Sequence, residues 1–235
     1  MKLSIIIPVY NEADNIEKLI RKINKQVTSS HQLIFVYDFD EDNTVPVVKK
    51  LQQKQKNIRL IKNNVCDGRG VVNAIKTGFN ATKSGAIVVM MADLADDPKS
   101  IEPMFKKIQQ GYDVVCGSRY SKGGKKIGGP IIKSWLSKLS GLLTPLLLGI
   151  PTKDVTNAFK MYRKKVLDSI KIESQGGFEI AMEIVIKAQA KGFKIAEVPT
   201  TWQDRTAGES RFQLLAWLPG YIYWYVWGMV KRRYI

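Results

Sequence analysis

The chain is poor in cysteine, histidine and acid, and it has no long apolar run. Its only cysteines, Cys66 and Cys116, sit in unrelated contexts without metal-ligand spacing, which excludes a zinc site and a disulfide framework and fits a reducing compartment. Cys116 lies in a strand pattern and reads as a small buried hydrophobe. The single histidine, His31, precedes a strand, reads as surface and receives no role. The most apolar stretch, residues 214–230, is broken by Pro219-Gly220 and falls short of the roughly 20 apolar residues that a spanning helix needs. No signal peptide is expected, because a strand pattern begins at Leu3. Acid is outnumbered: 37 Lys and Arg face 21 Asp and Glu, a formal charge of +16, and residues 114–153 and 211–235 hold no acid at all. Basic segments of this kind suit nucleic acid, anionic lipid or phosphorylated substrates. Nucleic acid is set aside, since no recognition motif and no basic-aromatic interleaving on a sheet is present.

What is there is an alternating pattern around a real core, with an ordinary 45% apolar content, in one large or two small domains. There is no internal repeat and no low-complexity segment. Residues 3–10 form a first apolar strand. Asn11-Glu12-Ala13-Asp14-Asn15 then supplies helix caps before Ile16, Leu19, Ile20, Ile23 and Val27, which share one helix face. A strand over residues 33–37 runs into an acidic loop, and Val47, Val48 and Leu51 mark the next helix. Residues 58–61 are a third strand. Asp67-Gly68-Arg69-Gly70 breaks the chain and opens a helix carrying Val71, Val72, Ile75 and Phe79. A fourth strand, a helix with Ile101, Met104, Phe105 and Ile108, and a fifth strand over 113–118 follow. This alternation predicts a parallel sheet covered on both faces.

The second half reads differently. Residues 121–130 look like a flexible basic lid, 131–148 a helix, 157–162 a short strand, 177–191 a helix and 194–201 a further strand. Residues 139–150 and 214–230 read as helices lying in a membrane interface, with Trp and Tyr at headgroup level and Lys231-Arg232-Arg233 meeting anionic lipid. The plainer alternative is burial in the core or in a dimer interface. Glu183 reads as a structural partner for a basic residue.

The most informative stretch is residues 86–98, where an uncharged β-branched run ends in Asp93, Asp96, Asp97 and Pro98. Ligands of open α/β sheets bind outside the carboxyl ends of strands, which is where these carboxylates fall. Asp93, on the strand end, is the candidate to hold a divalent cation that neutralises a diphosphate. Asp96 and Asp97 read instead as caps of the helix that begins near Ser100.

Six ordered motifs over residues 5–212 carry a resemblance. They are Pro8-Val9-Tyr10-Asn11-Glu12, the segment from Val36 to Thr44, Gly68-Arg69-Gly70, Gly117-Ser118-Arg119-Tyr120, the segment from Asp154 to Arg163, and the segment from Arg205 to Arg211. Together they resemble the family-2 inverting glycosyltransferases of GT-A fold, most closely the dolichyl/polyprenyl-phosphate mannose synthase group. The resemblance implies a Rossmann-like α/β fold with a mixed, mainly parallel sheet, helices on both faces and C-terminal interfacial helices. It implies a domain over 1–212, with a nucleotide-binding half (1–118) and an acceptor-binding half (119–212), and an aromatic, basic membrane segment over 213–235. It further implies donor binding by Pro8, Tyr10, Glu12, Asp38, Gly68, Gly70, Asp93, Arg205 and Arg211, with Asp93 and Arg205 essential to transfer. Arg119, Lys133 and Ser137 would bind an acceptor phosphate.

The chain departs from the family pattern at several of these positions. Met91 and Ala95 stand where the family has Asp and Gln as cation ligands, and neither serves a hard ion. Mg²⁺ or Mn²⁺ is therefore expected with Asp93 as its one retained ligand, with Asp38, Asp96 or Asp97 as candidates for a second, or with Arg205 and Arg211 carrying more of the diphosphate's charge instead. Lys133 replaces an Arg, offering a point charge in place of a fork. The implied activity is transfer of mannose or glucose from a nucleotide sugar to a polyprenyl or dolichyl phosphate, peripherally at the cytoplasmic face of a membrane. The partners expected are that donor, that acceptor, an anionic membrane surface and, as a further option, a second copy or an integral-membrane protein. The competing readings are a degenerate GT-A protein that binds without transfer, and a transferase using a saccharide hydroxyl with Asp96 or Asp97 as base.

Overall fold

Strands buried on both faces need apolar side chains at every position, and the Val/Ile/Leu runs of the first half supply them. A computed structural model describes residues 1–63, 68–204 and 214–232, without the side chains of Lys133, Leu214, Leu215 and Arg232. Strands β1 (Leu3–Pro8), β2 (His31–Tyr37), β3 (Ile58–Lys62) and β4 (Ala86–Val89) alternate with helices α1 (Ala13–Gln26), α2 (Thr44–Lys54) and α3 (Val71–Asn80). Helix α4 (Ile101–Gln109) leads to β5 (Val114–Ser118). The second half adds β6 (Lys125–Ile127), α5 (Ile131–Leu143), β7 (Lys160–Arg163), α6 (Lys164–Ser169), α7 (Glu179–Ala190), β8 (Ile195–Pro199), β9 (Thr201–Gln203) and α8 (Leu214–Arg232).

Among the described residues the main sheet runs β3-β2-β1-β4-β7-β5-β8. All neighbours are parallel except β7, which is antiparallel to both β4 and β5. The mixed, mainly parallel sheet expected from the sequence is the one found. Alternation along the strands feeds two cores: Ile5 and Ile7 pack with Ile16, Leu19, Met104 and Phe105 on one face, and Ile6 packs with Val72, Ile75 and Phe79 on the other. The carboxyl ends of the parallel strands share one rim. Strand order reverses between β1 and β4, and such a switch point leaves a crevice outside the strand ends.

Local differences from the expected pattern have physical reasons. The β4 ladder stops at Val89, with Met90 N still donating to Ile6 O at 3.0 Å, so Asp93 lies in the turn beyond the strand and not on its end. The basic stretch 121–130 is not wholly a free lid: Lys125–Ile127 pairs in parallel with Thr201–Gln203 as a separate two-stranded ribbon. Helix α5 continues into a π-helical turn, Thr144–Leu148, around Pro145. His31 is half-buried, with Nδ1 2.8 Å from Ser29 O. Cys116 is buried as expected, and burial pushes its thiol up to about 11.

Pro219 does not break α8, which runs through it. The helix loses one backbone donor there, and the face it lays on α7 offsets the loss. Trp224 is buried in that contact, donates from Nε1 to Ser174 Oγ at 3.0 Å, and has Lys187 Nζ 4.6 Å from its ring centroid. Lys187 in turn pairs with Glu183 at 2.6 Å, the structural role expected for that carboxylate. Gly228 permits the close approach, since a Cβ there would come within 2.9 Å of Ile186 Cγ2. One face of α8 thus belongs to the core, while Ile222, Tyr223, Val226 and Val230 on the other are exposed. Trp224→Ala is expected to cost about 3–5 kcal/mol and to lower Tm by roughly 6–20 °C, read by urea unfolding and calorimetry. A cost within about 0.5 kcal/mol, as at a surface site, would mean that α8 is not docked on α7.

Candidate active site

The first wall of the rim crevice is made by the segments after β1, β2 and β3. Pro8 closes β1 and is buried there, while Tyr10 stands out at 40% exposure. The Tyr10 ring lies 5.1 Å from that of Phe39, tilted by 58°, and the Arg69 guanidinium sits 5.6 Å over Phe39 from the other loop. This arrangement offers aromatic surface and a cation on one side of the crevice. Asp38 joins the loops. Its Oδ1 accepts from Asn63 Nδ2 at 2.7 Å and its Oδ2 from Gly70 N at 2.9 Å. Gly68 and Gly70 have φ of +101° and +123°, values that suit glycine and put the α3 amino terminus at the rim. Glu12 occupies the N-cap position of α1, yet its carboxylate accepts from the Asn15 side chain at 2.6 Å instead of capping the backbone.

The acidic loop after β2 proves to be scaffolding as much as surface. Asp42 is buried, and its Oδ1 accepts from Asn11 N at 3.1 Å and Thr44 N at 2.8 Å. Glu12 N donates to Thr44 Oγ1 at 2.9 Å. These bonds hold the β1 and β2 loops together, and Asn11 takes a left-handed φ of +54° to make the turn. Asp40 is exposed and paired with Lys62.

Across the switch point, Asp93 is half-buried and accepts from Ala95 N at 3.1 Å through Oδ1. Asp97 caps the turn Pro98–Ser100 by accepting from Lys99 N at 3.1 Å, as expected. Asp96 does not. It is 4% exposed, and among the described residues its Oδ1 accepts no hydrogen bond. Burial first, and then the Asp93 charge, push its carboxyl up to about 8. Met91 and Ala95 bring no hard ligand, and among the described residues no three Asp, Glu, His or Cys side chains form a cage. Two neighbouring carboxylates, one with an unused oxygen, do fit a cation that takes its remaining ligands from water and diphosphate.

The second wall is built on Arg119 at the end of β5. Its guanidinium forks onto Asp154, with Nε–Oδ2 and Nη2–Oδ1 both 2.7 Å, and Nη2 also reaches Ser137 Oγ at 2.9 Å. Asp154 is fully buried. Burial works against the Arg119 charge, but the Asp154 carboxylate more than offsets this and holds its pKa above the usual arginine value. Among the described residues Arg119 Nη1 donates to no protein group. Arg119 and Ser137, both expected at an acceptor phosphate, thus lie within hydrogen-bond reach of each other. The side chain of Lys133 and the whole of Arg205 and Arg211 lie outside the described residues. Sequence reasoning gave no role to Asp42, Asn63 or Asp154. Each lies in or beside a motif, and only contacts reveal what it holds.

The family model for glycosyl transferase family 2 matches residues 4–171, more than half of the chain. A dolichol-phosphate mannosyltransferase of Pyrococcus furiosus is 34% identical over 220 residues, 91% of this chain and 60% of that protein. The chain thus spans three-fifths of that relative's length. A polyprenol monophosphomannose synthase of Mycolicibacterium smegmatis is 26% identical over 211 residues, covering 88% of this chain and 79% of the relative. Glucosyl-3-phosphoglycerate synthase of Mycobacterium tuberculosis, solved with Mn²⁺, UDP-glucose and phosphoglyceric acid, superposes with a TM-score of 0.72 at 17% identity, over 97% of this chain and 80% of that one. S. aureus TarS gives 0.63 at 17% identity, over 86% and 60%. These likenesses show the GT-A fold. With the family model matched over most of the chain and a relative above 30% identity, the chain belongs to glycosyltransferase family 2.

Proposed function

We propose that the chain transfers a sugar, mannose or glucose, from a nucleotide sugar to a polyprenyl phosphate with inversion at a membrane surface. One observation carries the reading. Arg119 directly follows β5 on the same rim as Asp93 and bonds Ser137 of α5, a helix whose other face exposes Ile131, Trp135, Leu139 and Leu142. An anion-binding group thus stands between the crevice and an apolar helix, which suits a phosphate on a lipid tail. The names of the P. furiosus and M. smegmatis relatives support the same substrate class.

A phosphate monoester has a second pKa near ~6 and is largely dianionic at neutral pH. It needs no general base; it needs alignment behind the anomeric carbon. A phosphate oxygen bonds to that carbon as the carbon's bond to the diphosphate breaks, with one inversion. Arg119 contributes directed N–H groups more than net charge, because Asp154 already balances it. The positive charge then falls to Lys133, with Ser137 as a further donor. On the donor side Pro8, Tyr10, Glu12, Asp38, Gly68 and Gly70 would hold the nucleoside, and Arg205 and Arg211 would close on the diphosphate. A divalent cation at Asp93 would offset charge on the leaving diphosphate.

Membrane contact follows from α5 and α8, which Tyr225 ties together through its hydroxyl, 2.8 Å from Ser140 Oγ. No helix among the described residues is long and apolar enough to cross a membrane. Both helices instead show exposed apolar faces, next to a basic chain that suits the anionic cytoplasmic leaflet. A saccharide hydroxyl would need a carboxylate base. Asp97 is engaged in capping and Asp96 is buried, so neither favours that reading.

Incubation with labelled UDP- and GDP-sugars and a short-chain polyprenyl phosphate should yield glycosylated lipid phosphate. Asp93→Ala and Arg205→Ala should each cut this at least about a hundredfold without loss of fold, and survival of transfer in both would sink the site. Arg119→Ala strips the partner from a buried charge and is expected to cost roughly 3–5 kcal/mol. Pairing Arg119→Met with Asp154→Leu should recover most of that stability in urea unfolding, keep nucleotide affinity and still leave the acceptor KM raised. Trp135→Glu with Leu139→Glu should lower partition onto phosphatidylserine-containing vesicles at least tenfold, since each buried apolar side chain contributes about 1.5–3 kcal/mol. Unchanged sedimentation with vesicles would refute the role of α5.

A further inference from the structure

We propose that Asp96 is a cation ligand in this chain, acting with Asp93 in place of the ligands that Met91 and Ala95 do not supply. The inference rests on the donor-site reading above and deepens it. Three observations lead to it. Asp96 is 4% exposed and, among the described residues, keeps Oδ1 without a hydrogen-bond partner, although carboxylates so deeply buried are ordinarily saturated. Besides Asp93, the charges near enough to act on its carboxylate are Arg119, Asp154 and Lys160, which belong to the second wall and the turn behind it. Its backbone is fixed by a pairing that the sequence did not announce: Asp96 bridges Trp202, Asp97 N donates to Thr201 O at 3.2 Å, and Gln203 N donates to Ala95 O at 2.9 Å.

The chemistry is consistent with that geometry. Two adjacent carboxylates repel in a poorly hydrated setting, and a divalent cation turns the repulsion into attraction. Mg²⁺ and Mn²⁺ accept one or two carboxylates with water and phosphate oxygens as the rest. Asp97 differs: it is half-buried, and its Oδ1 is occupied with Lys99 N. Asp96 is a ligand here in the sense of charge and geometry, while Asp97 is a cap.

Mn²⁺ binding, read by loss of the free-ion EPR signal with and without UDP or GDP, tests this on the whole chain. Wild type should bind one ion. Asp93→Asn and Asp96→Asn should each weaken it at least tenfold, and Asp97→Asn should leave it unchanged. Nucleotide binding in EDTA should persist in Asp96→Asn. Wild-type Mn²⁺ affinity in Asp96→Asn overturns the inference alone, whereas a wild type that binds neither nucleotide brings down the donor-site reading beneath it. Should Asp96→Asn not fold, Tb³⁺ supplies the second measurement. Bound beside Asp96 it should show Trp-sensitised emission that Mn²⁺ displaces and Trp202→Phe diminishes; emission indifferent to Trp202→Phe would overturn the assignment.

Discussion

The buried pair of Arg119 and Asp154 is the interaction on which the working end of this molecule depends. Taking both charges out of water is costly, and a single contact would not offset it. Here the pair is bidentate, and Asp154 also accepts from Arg119 N at 2.9 Å, so the carboxylate is saturated. The pair is reached through β7, the one strand that runs against the sheet. Threading β7 between β4 and β5 brings the turn before it to the rim. There Asn157 Nδ2 donates to Gly117 O at 2.9 Å, and Lys160, buried in β7, donates to Val155 O at 2.9 Å and to Asn157 O. Burial lowers the Lys160 pKa, but either protonation state can donate to those carbonyls. A strand direction, a turn and an ion pair together fix where β5 ends and what it presents.

The same ion pair explains how α5 can be both anchored and exposed. Ser137 faces inward to Arg119 and Thr156, Ser140 meets Tyr225, and the apolar residues Ile131, Trp135, Leu139 and Leu142 of the same helix are exposed. A helix held by a few polar contacts on its inner side can leave a hydrophobic outer side for something else. Helix α8 solves the problem in reverse. Its inner face, with Trp224, is packed on α7, while Ile222, Tyr223, Val226 and Val230 are left out, so aromatic content alone did not separate the buried face from the exposed one. Of the sequence's alternatives for this segment, core burial is realised on the face that meets α7, and the opposite face is exposed.

Legibility followed the length of the signal. The first half was readable almost element by element, because parallel strands buried on both faces are written as unbroken apolar runs and their helices as clean stripes. The sheet's one antiparallel strand, the β6–β9 ribbon and the π turn were not, since each is short and owes its form to neighbours far away in sequence. The site divided in the same way. Tyr10, Asp38, Gly68 and Arg119 could be picked out because glycine, strand-end and motif positions carry local constraints. Asp154, Asn63 and Asp42 act by holding another residue, and their partners lie 35, 25 and 31 positions away. Nothing local marks such a bond.

The altered carboxylate motif shows why a site is better read as a field than as letters. A cation between a strand and a diphosphate requires negative oxygen at particular points, not at particular sequence positions. Where Met91 removes one such oxygen, the backbone after Asp93 turns, with Leu94 at a left-handed φ of +61°, and Asp96 follows it as a buried carboxylate. That turn is stabilised from outside the motif, by the pairing of residues 95–97 with β9. With Asp96 as the proposed ligand, the cation's position would depend on β9, the strand that ends at Gln203, two residues before Arg205. Donor charge and the arginine segment proposed to close on it would then be coupled through a few backbone hydrogen bonds, a dependence that a motif confined to the end of β4 would not create.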